Sequence, residues 1–92
     1  SIEHLPSKTL SQAEQLKNKD LNKSLMLYRQ VMNIDKSSDS SKIAAYFLGM
    51  HFDYEVSLTD SARYYYEFLS ENFPSSPQAE NAIKRLEVLN AE

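Results

Sequence analysis

The sequence repeats itself at an offset of 38 residues. Segment 24–50 aligns with segment 62–88, and five aligned pairs are identical: Tyr28/Tyr66, Ser37/Ser75, Ser38/Ser76, Ala44/Ala82 and Leu48/Leu86. The same step backwards from Leu48 reaches Leu10, so leucines occupy three equally spaced positions. A fixed period of this size indicates stacked helical hairpins. Such repeats bury their core against neighbouring repeats and expose an extended surface, which favours binding of another molecule over catalysis.

Length, charge and composition exclude several classes of protein. A chain of 92 residues fits one small domain. Its net charge is −3 and it has no dense basic run, so we expect no nucleic-acid partner. The absence of cysteine excludes disulfides, thiolate metal sites and thiol catalysis. The longest apolar stretch, 43–50, is far shorter than the ~20 residues of a membrane-spanning helix, so we expect no transmembrane segment.

The composition and the apolar spacing predict an all-α protein. One Gly and three Pro are too few for a strand-rich fold with many tight turns. Apolar residues recur at spacings of three and four in five segments, which is the spacing of one helix face. The predicted helices are 7–17, 20–34, 41–54, 60–73 and 77–91.

Capping residues set the predicted helix ends. The polar stretch 35–40 is predicted to be a loop before the third helix, and Pro6 is predicted to precede the first helix. The predicted N-caps of the second, fourth and fifth helices are Asp20, Thr59 or Asp60, and Ser76.

Gly49 in the third helix indicates a close approach between helices. Glycine in a helix interior costs about 1 kcal/mol relative to alanine. We therefore predict that the fourth helix passes too close to tolerate a side chain at this position, with Ala62 as the neighbour. Bulky and small residues that alternate across the two helices would let them interlock.

Six residues in order carry a resemblance to a known repeat family: Leu48, Gly49, Phe52, Ala62, Tyr66 and Pro74. Their order resembles the signature of a tetratricopeptide repeat (TPR). The first copy departs from it at Lys36, where the family has Pro, and the third, half copy has Glu87 where the family has Gly. The period of 38 exceeds the usual ~34, and the longer loops resemble those of bacterial cell-envelope assembly lipoproteins and their periplasmic relatives.

The resemblance implies antiparallel helical hairpins stacked as a short right-handed TPR-like solenoid of about five helices. Residues 1–92 would form a single TPR-like domain. Because the chain begins at Ser1, without a methionine, a signal peptide or a lipid-attachment cysteine, we expect a fragment of a longer protein. The cell-envelope likeness favours the periplasm or cell envelope over the cytoplasm.

The resemblance also implies a binding groove on the concave side, formed by the first helix of each hairpin. The residues facing this groove would be Ile43, Tyr46, Met50, Asp53 and Tyr54, with Lys8, Gln12, Asn81, Lys84 and Val88 from the flanking copies. Aromatic residues and Met are enriched in interface cores, so the central strip predicts a seat for an amphipathic helix or an extended peptide.

Two alternatives stay open at this stage. The apolar strip either binds a partner or packs against a further repeat or a second copy, which would make the chain a structural or homo-oligomerising segment. Lys8 and Lys84 either flank a ligand carboxylate or are solvated surface lysines.

No residue pattern predicts an active site. Neither His4 nor His51 belongs to a spaced metal-ligand motif, and one Gly cannot build a phosphate-binding loop. No Ser or Thr has an evident His base. We therefore expect a non-catalytic protein-interaction module, without cofactor or metal, whose partner is a protein or peptide.

Overall fold

A computed structural model describes residues 2–92, in which every regular element is helical. The α-helices are α1 (Leu5–Leu16), α2 (Leu21–Ile34), α3 (Asp39–Met50), α4 (Thr59–Asn72) and α5 (Pro77–Ala91). A 3-10 turn, Ile2–His4, precedes α1, and a π-helical turn, His51–Glu55, follows α3. The predicted all-α class with five helices is confirmed. No helix in the described range has both the length and the apolar character needed to cross a bilayer.

The chain divides into two compact units, and the division falls between Ala44 and Ala45, inside α3. The first unit contains α1, α2 and the start of α3. The second unit contains the rest of α3, the π turn, α4 and α5. The single TPR-like domain expected from the sequence stays a prediction.

In the first unit, α1 and α2 pack as a helical hairpin. Ser24 and Ala13 are fully buried, and the Ser24 hydroxyl donates a hydrogen bond of 2.7 Å to the Ala13 carbonyl. Small side chains at both positions allow the close approach that this bond requires. Asp20 caps α2 as predicted, because its carboxylate accepts from the Lys23 backbone N–H at 3.2 Å.

α1 begins at Leu5, two residues before the predicted boundary. Pro6 lies inside its first turn rather than ahead of it. The first-turn N–H groups of a helix have no intrahelical partner, so the missing N–H of proline costs nothing there.

The helix boundaries repeat at the offset found in the sequence. α2 and α4 begin and end 38 residues apart, and α3 and α5 begin 38 residues apart. Residues related by this offset are buried alike, each at most 1% exposed: Ser24/Ala62, Tyr28/Tyr66 and Val31/Leu69. The internal repeat is therefore a repeat of local structure as well as of sequence.

The turn before α5 is closed by Ser76, as predicted. Its hydroxyl donates to the Phe73 carbonyl at 2.7 Å and accepts from the Ala79 backbone N–H at 3.0 Å. The hydroxyl thereby satisfies one first-turn N–H of the helix and holds the turn to the end of α4. Pro77 then occupies the first turn of α5.

The turn before α3 makes the same bonds one repeat earlier. The Ser38 hydroxyl donates to the Asp35 carbonyl at 2.8 Å and accepts from the Ser41 backbone N–H at 3.0 Å. Ser38 therefore caps α3, which begins at Asp39, two residues before the predicted start. The identity of Ser38 and Ser76 at the repeat offset was the sequence signal for this boundary.

α4 begins without a side-chain cap. The residue before it, Leu58, makes no capping bond, and Thr59 and Asp60 lie within the first turn. The prediction that Thr59 or Asp60 caps this helix is wrong, because the helical backbone starts one residue earlier. The Asp60 carboxylate instead accepts a hydrogen bond from Arg63 Nη1 at 2.7 Å. Its negative charge also interacts favourably with the positive end of the helix dipole.

The third predicted helix extends to Tyr54, but its last turn is π-helical rather than α-helical. The Val56 N–H bonds to the His51 carbonyl at 3.3 Å, five residues back. The wider turn buries two successive side chains, Phe52 and Asp53. Ser57 follows with φ of 55°, a left-handed conformation that ends the helical segment.

Gly49 lies against the ring of Tyr66 in α4. A Cβ atom at Gly49 would be 2.8 Å from Tyr66 Cε1 and 2.9 Å from Cδ1. The close approach predicted for Gly49 is present, but the neighbour is Tyr66 and not Ala62. Tyr66 is 1% exposed, so its ring has little room to move away.

We expect Ser38→Ala and Ser76→Ala each to lower the free energy of unfolding by about 1 kcal/mol, because each removes the acceptor of a first-turn N–H. Urea denaturation followed by far-UV circular dichroism measures the loss. Ser75→Ala, at an exposed neighbouring position, is the control and should change the stability by less than about 0.5 kcal/mol. Equal stability of the control and the cap variants would contradict the capping roles.

We expect Gly49→Ala to destabilise the second unit by about 1 kcal/mol, because overpacking costs about 1–3 kcal/mol and the gain in helix propensity is about 1 kcal/mol. Chemical denaturation measures the difference. In a Tyr66→Leu background the same substitution should be neutral or stabilising, because the smaller side chain leaves space for the new Cβ. An identical cost in both backgrounds would mean that the ring of Tyr66 is not the cause.

Candidate partner-binding groove

A cavity of about 300 Å³ opens on the second unit. Residues of α3 and the π turn form one side, residues of α5 form the other, and one residue of α4 lies between them. We call this surface the aromatic groove. It is lined by Tyr46, Met50, Tyr54, Tyr66, Asn81, Lys84, Arg85 and Val88.

Arg85, which lines the aromatic groove, forms an ion pair with the buried carboxylate of Asp53. Arg85 Nε donates to Asp53 Oδ2 at 2.6 Å, and Arg85 Nη2 donates to Oδ1 at 3.0 Å. The Tyr66 hydroxyl donates to Asp53 Oδ2 at 2.8 Å. The Asp53 side chain is 4% exposed and that of Arg85 is 29% exposed. One carboxylate thus joins the π turn to both α4 and α5.

These contacts shift the pKa of each group in the same network. Hydrogen bonding to Arg85 is the largest cause that lowers the pKa of Asp53 below its ordinary value, and it outweighs the opposing effect of burial. Burial raises the pKa of Tyr66, and the bond to Asp53 raises it further. The bond to Asp53 also raises the pKa of Arg85. The pair is therefore ionised and Tyr66 is protonated at neutral pH.

Two contacts connect the opposite sides of the aromatic groove. The Arg85 guanidinium lies over the Tyr54 ring, 5.0 Å from its centroid, which is a cation–π distance. Asn81 Nδ2 donates to the Tyr46 hydroxyl at 3.1 Å. Tyr54 is nevertheless 57% exposed and Met50 is 38% exposed, so apolar surface on one side is available to a ligand.

Lys84 lies at the rim of the aromatic groove. Its ammonium is 3.6 Å from a Glu80 carboxylate oxygen, and the two side chains are 71% and 69% exposed. An exposed pair of this kind contributes about 0–1 kcal/mol. Lys84 therefore keeps most of its charge accessible to solvent or to a ligand.

The structure brings six of the ten predicted site residues together in the aromatic groove: Tyr46, Met50, Tyr54, Asn81, Lys84 and Val88. Asp53, which the sequence placed on the groove surface, is buried in the ion pair with Arg85. Ile43, Lys8 and Gln12 belong to the first unit, where Gln12 lines a separate cavity. The role of these residues in partner binding stays a prediction.

Two lining residues were not predicted: Tyr66 and Arg85. A partial signal for the ion pair was available, because Asp53 follows a run of apolar residues and a buried carboxylate requires a partner. The offset of 38 pairs Arg85 with Phe47, so a cation replaces an aromatic residue at this point of the repeat. Sequence spacing did not show which cation of the second unit would reach Asp53.

His51, considered above as a metal ligand, is an aromatic packing residue in this structure. Its ring stacks on Phe47 with centroids 6.1 Å apart and meets the edge of Phe52 at 5.1 Å. No group of three or more His, Cys, Asp or Glu residues within the described range is placed to hold a metal ion. The aromatic groove itself offers apolar rings, a thioether and a few hydrogen-bond donors.

We expect Asp53→Asn to lower the free energy of unfolding by about 1–3 kcal/mol at neutral pH, because the buried side chain loses its charge and leaves hydrogen-bond donors without their acceptor. The pKa of Asp53 in the folded protein lies below its ordinary value of 3.8, so the stabilisation is complete above pH 3.8. It is lost as the pH falls through the lower folded-state pKa. The difference between parent and variant should therefore shrink in acid.

Urea denaturation of both proteins across the acid range measures this difference. Asp60→Asn is the matched control, because Asp60 also pairs with an arginine but its side chain is fully exposed. That control should change the stability much less than Asp53→Asn does, because an exposed ion pair is screened by solvent. An Asp53→Asn effect that is constant with pH would contradict the role of the charge.

Comparison with known proteins did not identify a relative of this chain. No protein-family model, no curated protein and no solved structure matches this chain. The likeness to tetratricopeptide repeats therefore depends on the residues of the sequence itself. The aromatic groove and the ion pair between Arg85 and Asp53 are the features from which a function can be inferred.

Proposed function

We propose that this chain is a non-catalytic protein-interaction module that binds a segment of another protein in the aromatic groove. The observation that carries the proposal is the strip of Tyr46, Met50 and Tyr54, in which Met50 and Tyr54 are exposed and the Tyr54 ring is held by Arg85. The bound segment is an amphipathic helix or an extended peptide that inserts apolar side chains.

The chemistry of the lining supports this occupant. Tyr and Met are enriched in the cores of protein interfaces, where they supply large contact areas. A volume of about 300 Å³ is at the lower end of ligand pockets, about 300–1,000 Å³, and suits one or two inserted side chains. The bonds from Asn81 and Arg85 hold the sides of the groove before a partner arrives, which reduces the entropy lost on binding.

We further propose that the fold is a short right-handed TPR-like solenoid. Its support is the repetition of helix boundaries, capping bonds and burial at one offset. The contact of Gly49 with Tyr66 supports it too, because the family signature pairs a Gly on the first helix with an aromatic residue on the second. In that arrangement the aromatic groove lies on the concave side, as expected for a peptide-binding surface.

A non-catalytic role is supported by the state of the polar groups at the groove. Asp53, whose carboxylate is bonded to the lining residues Tyr66 and Arg85, accepts three hydrogen bonds and has a lowered pKa. A general base that works near neutral pH requires a raised pKa and a free lone pair. Tyr66 and Arg85 are held in the same network, so all three side chains serve to fix the groove.

Selection from a random peptide-display library tests the proposal, followed by fluorescence-polarisation titration of the selected peptides. Tyr46→Ala/Met50→Ala should weaken binding at least tenfold, because truncation of a buried interface anchor costs about 1–2 kcal/mol or more. Far-UV circular dichroism and thermal melting verify that the variant is folded.

Tyr64→Ala/Met26→Ala is the matched control. It removes the same two residue types from exposed positions that do not line the aromatic groove, where Tyr64 is 61% and Met26 is 65% exposed. Binding should be unchanged in this control. Failure to select any peptide, or equal weakening by both double variants, would contradict groove binding.

A further inference from the structure

Charge is distributed unevenly between the two units. Residues 1–44 contain seven Lys and Arg against five Asp and Glu, whereas residues 45–92 contain three against eight. The formal charges are therefore +2 and −5. Opposite charges of this size draw the first unit of one molecule towards the second unit of another.

The first unit carries a basic surface next to a cavity of about 380 Å³ between α1 and α2. Leu16 and Leu27 are half-buried in its lining, and Lys19 and Lys23 are exposed at its rim. Neither lysine forms an ion pair with another described residue, and the adjacent Asp20 carboxylate is engaged in capping α2. We call this surface the basic edge; it is completed by Gln12 and Gln15.

The second unit carries an acidic stripe on α5, formed by Glu80, Ile83 and Glu87. Their spacing of three and four residues places them on one helix face. Ile83 is 42% exposed, which leaves an apolar side chain between two exposed carboxylates. Glu80 shares its charge with Lys84, whereas Glu87 forms no ion pair with a described residue.

The repeat shows that this face of α5 is a helix-packing face. The offset of 38 relates Ile83 to Ala45 and Glu87 to Gly49 on α3. Ala45 is fully buried, and Gly49 lies against the Tyr66 ring of α4. The face of α3 that corresponds to the acidic stripe is thus covered by a helix, whereas Ile83 is exposed on α5. The acidic stripe therefore lies where a packed helix is expected.

We propose that the acidic stripe of one copy binds the basic edge of a second copy. Ile83 packs on Leu16 and Leu27, and the carboxylates of the stripe pair with the two lysines of the edge. Each interface uses two different surfaces, so the association is head to tail and can continue along a row of molecules. This proposal concerns surfaces outside the aromatic groove and does not depend on peptide binding.

Sedimentation velocity of the whole chain, from about 10 µM to about 1 mM at low salt, tests the association, because small interfaces dissociate in this range. The parent should gain mass with concentration, and added salt should weaken the gain. Lys19→Glu/Lys23→Glu and Glu80→Lys/Glu87→Lys should each remain monomeric. An equimolar mixture of the two should associate again, because the unaltered stripe of one variant meets the unaltered edge of the other, and the two reversed surfaces are also complementary.

Glu67→Lys/Glu71→Lys is the matched control, because it makes the same charge change on exposed positions of α4. It should associate like the parent. Circular dichroism verifies helicity in every variant, and recovery in the mixture shows that both reversed proteins are folded. A parent that stays monomeric throughout the range would overturn the proposal. A control that stays monomeric like Glu80→Lys/Glu87→Lys would also overturn the proposal, because the loss of association would then follow from net charge alone.

Discussion

The second unit depends on the burial of one carboxylate. A charge removed from water is tolerated only where hydrogen-bond donors replace the solvent, and Asp53 receives three. The donors belong to α4 and α5, so the need to solvate Asp53 fixes the π turn and both helices relative to each other. The aromatic groove follows from this constraint. Arg85 is held where it stacks on Tyr54, and Tyr66 is held where it contributes to the floor.

Much of the fold could be predicted because local rules determine it. Apolar spacing found the five helices, and side-chain capping by Asp20 and Ser76 was evident from residue type and position. The errors lie where a longer-range contact overrides a local preference. α4 begins without a cap although Thr59 and Asp60 are suitable residues, and the end of α3 widens into a π turn. Neither deviation has a signature in a single sequence.

The candidate site was predictable in its apolar part and not in its polar part. A helical strip of Tyr46, Met50 and Tyr54 follows from spacing alone, since residues three to four apart share a face. Spacing does not identify the partner of Asp53, because Arg85 is 32 residues away and lies beside a second cation, Lys84, in the sequence. A rotation of about 100° per residue decides which of two adjacent cations turns inward. Tertiary packing sets that rotation.

The two turns that a serine hydroxyl closes, before α3 and before α5, show what a connector between helices requires in this chain. The segments 35–41 and 73–79 share the two bonds of one serine hydroxyl although they have only two identical residues, Ser37/Ser75 and Ser38/Ser76. Segment 35–41 adds a bond from the Ser37 N–H to Asp35 Oδ1 at 3.0 Å. The hydroxyl of Ser38 or Ser76 is therefore the feature that the two turns have in common, and the residues around it differ. A connector closed by one hydroxyl and the backbone places few demands on its other side chains. In a chain with further repeats, the same serine-closed turn could connect each pair of successive repeats.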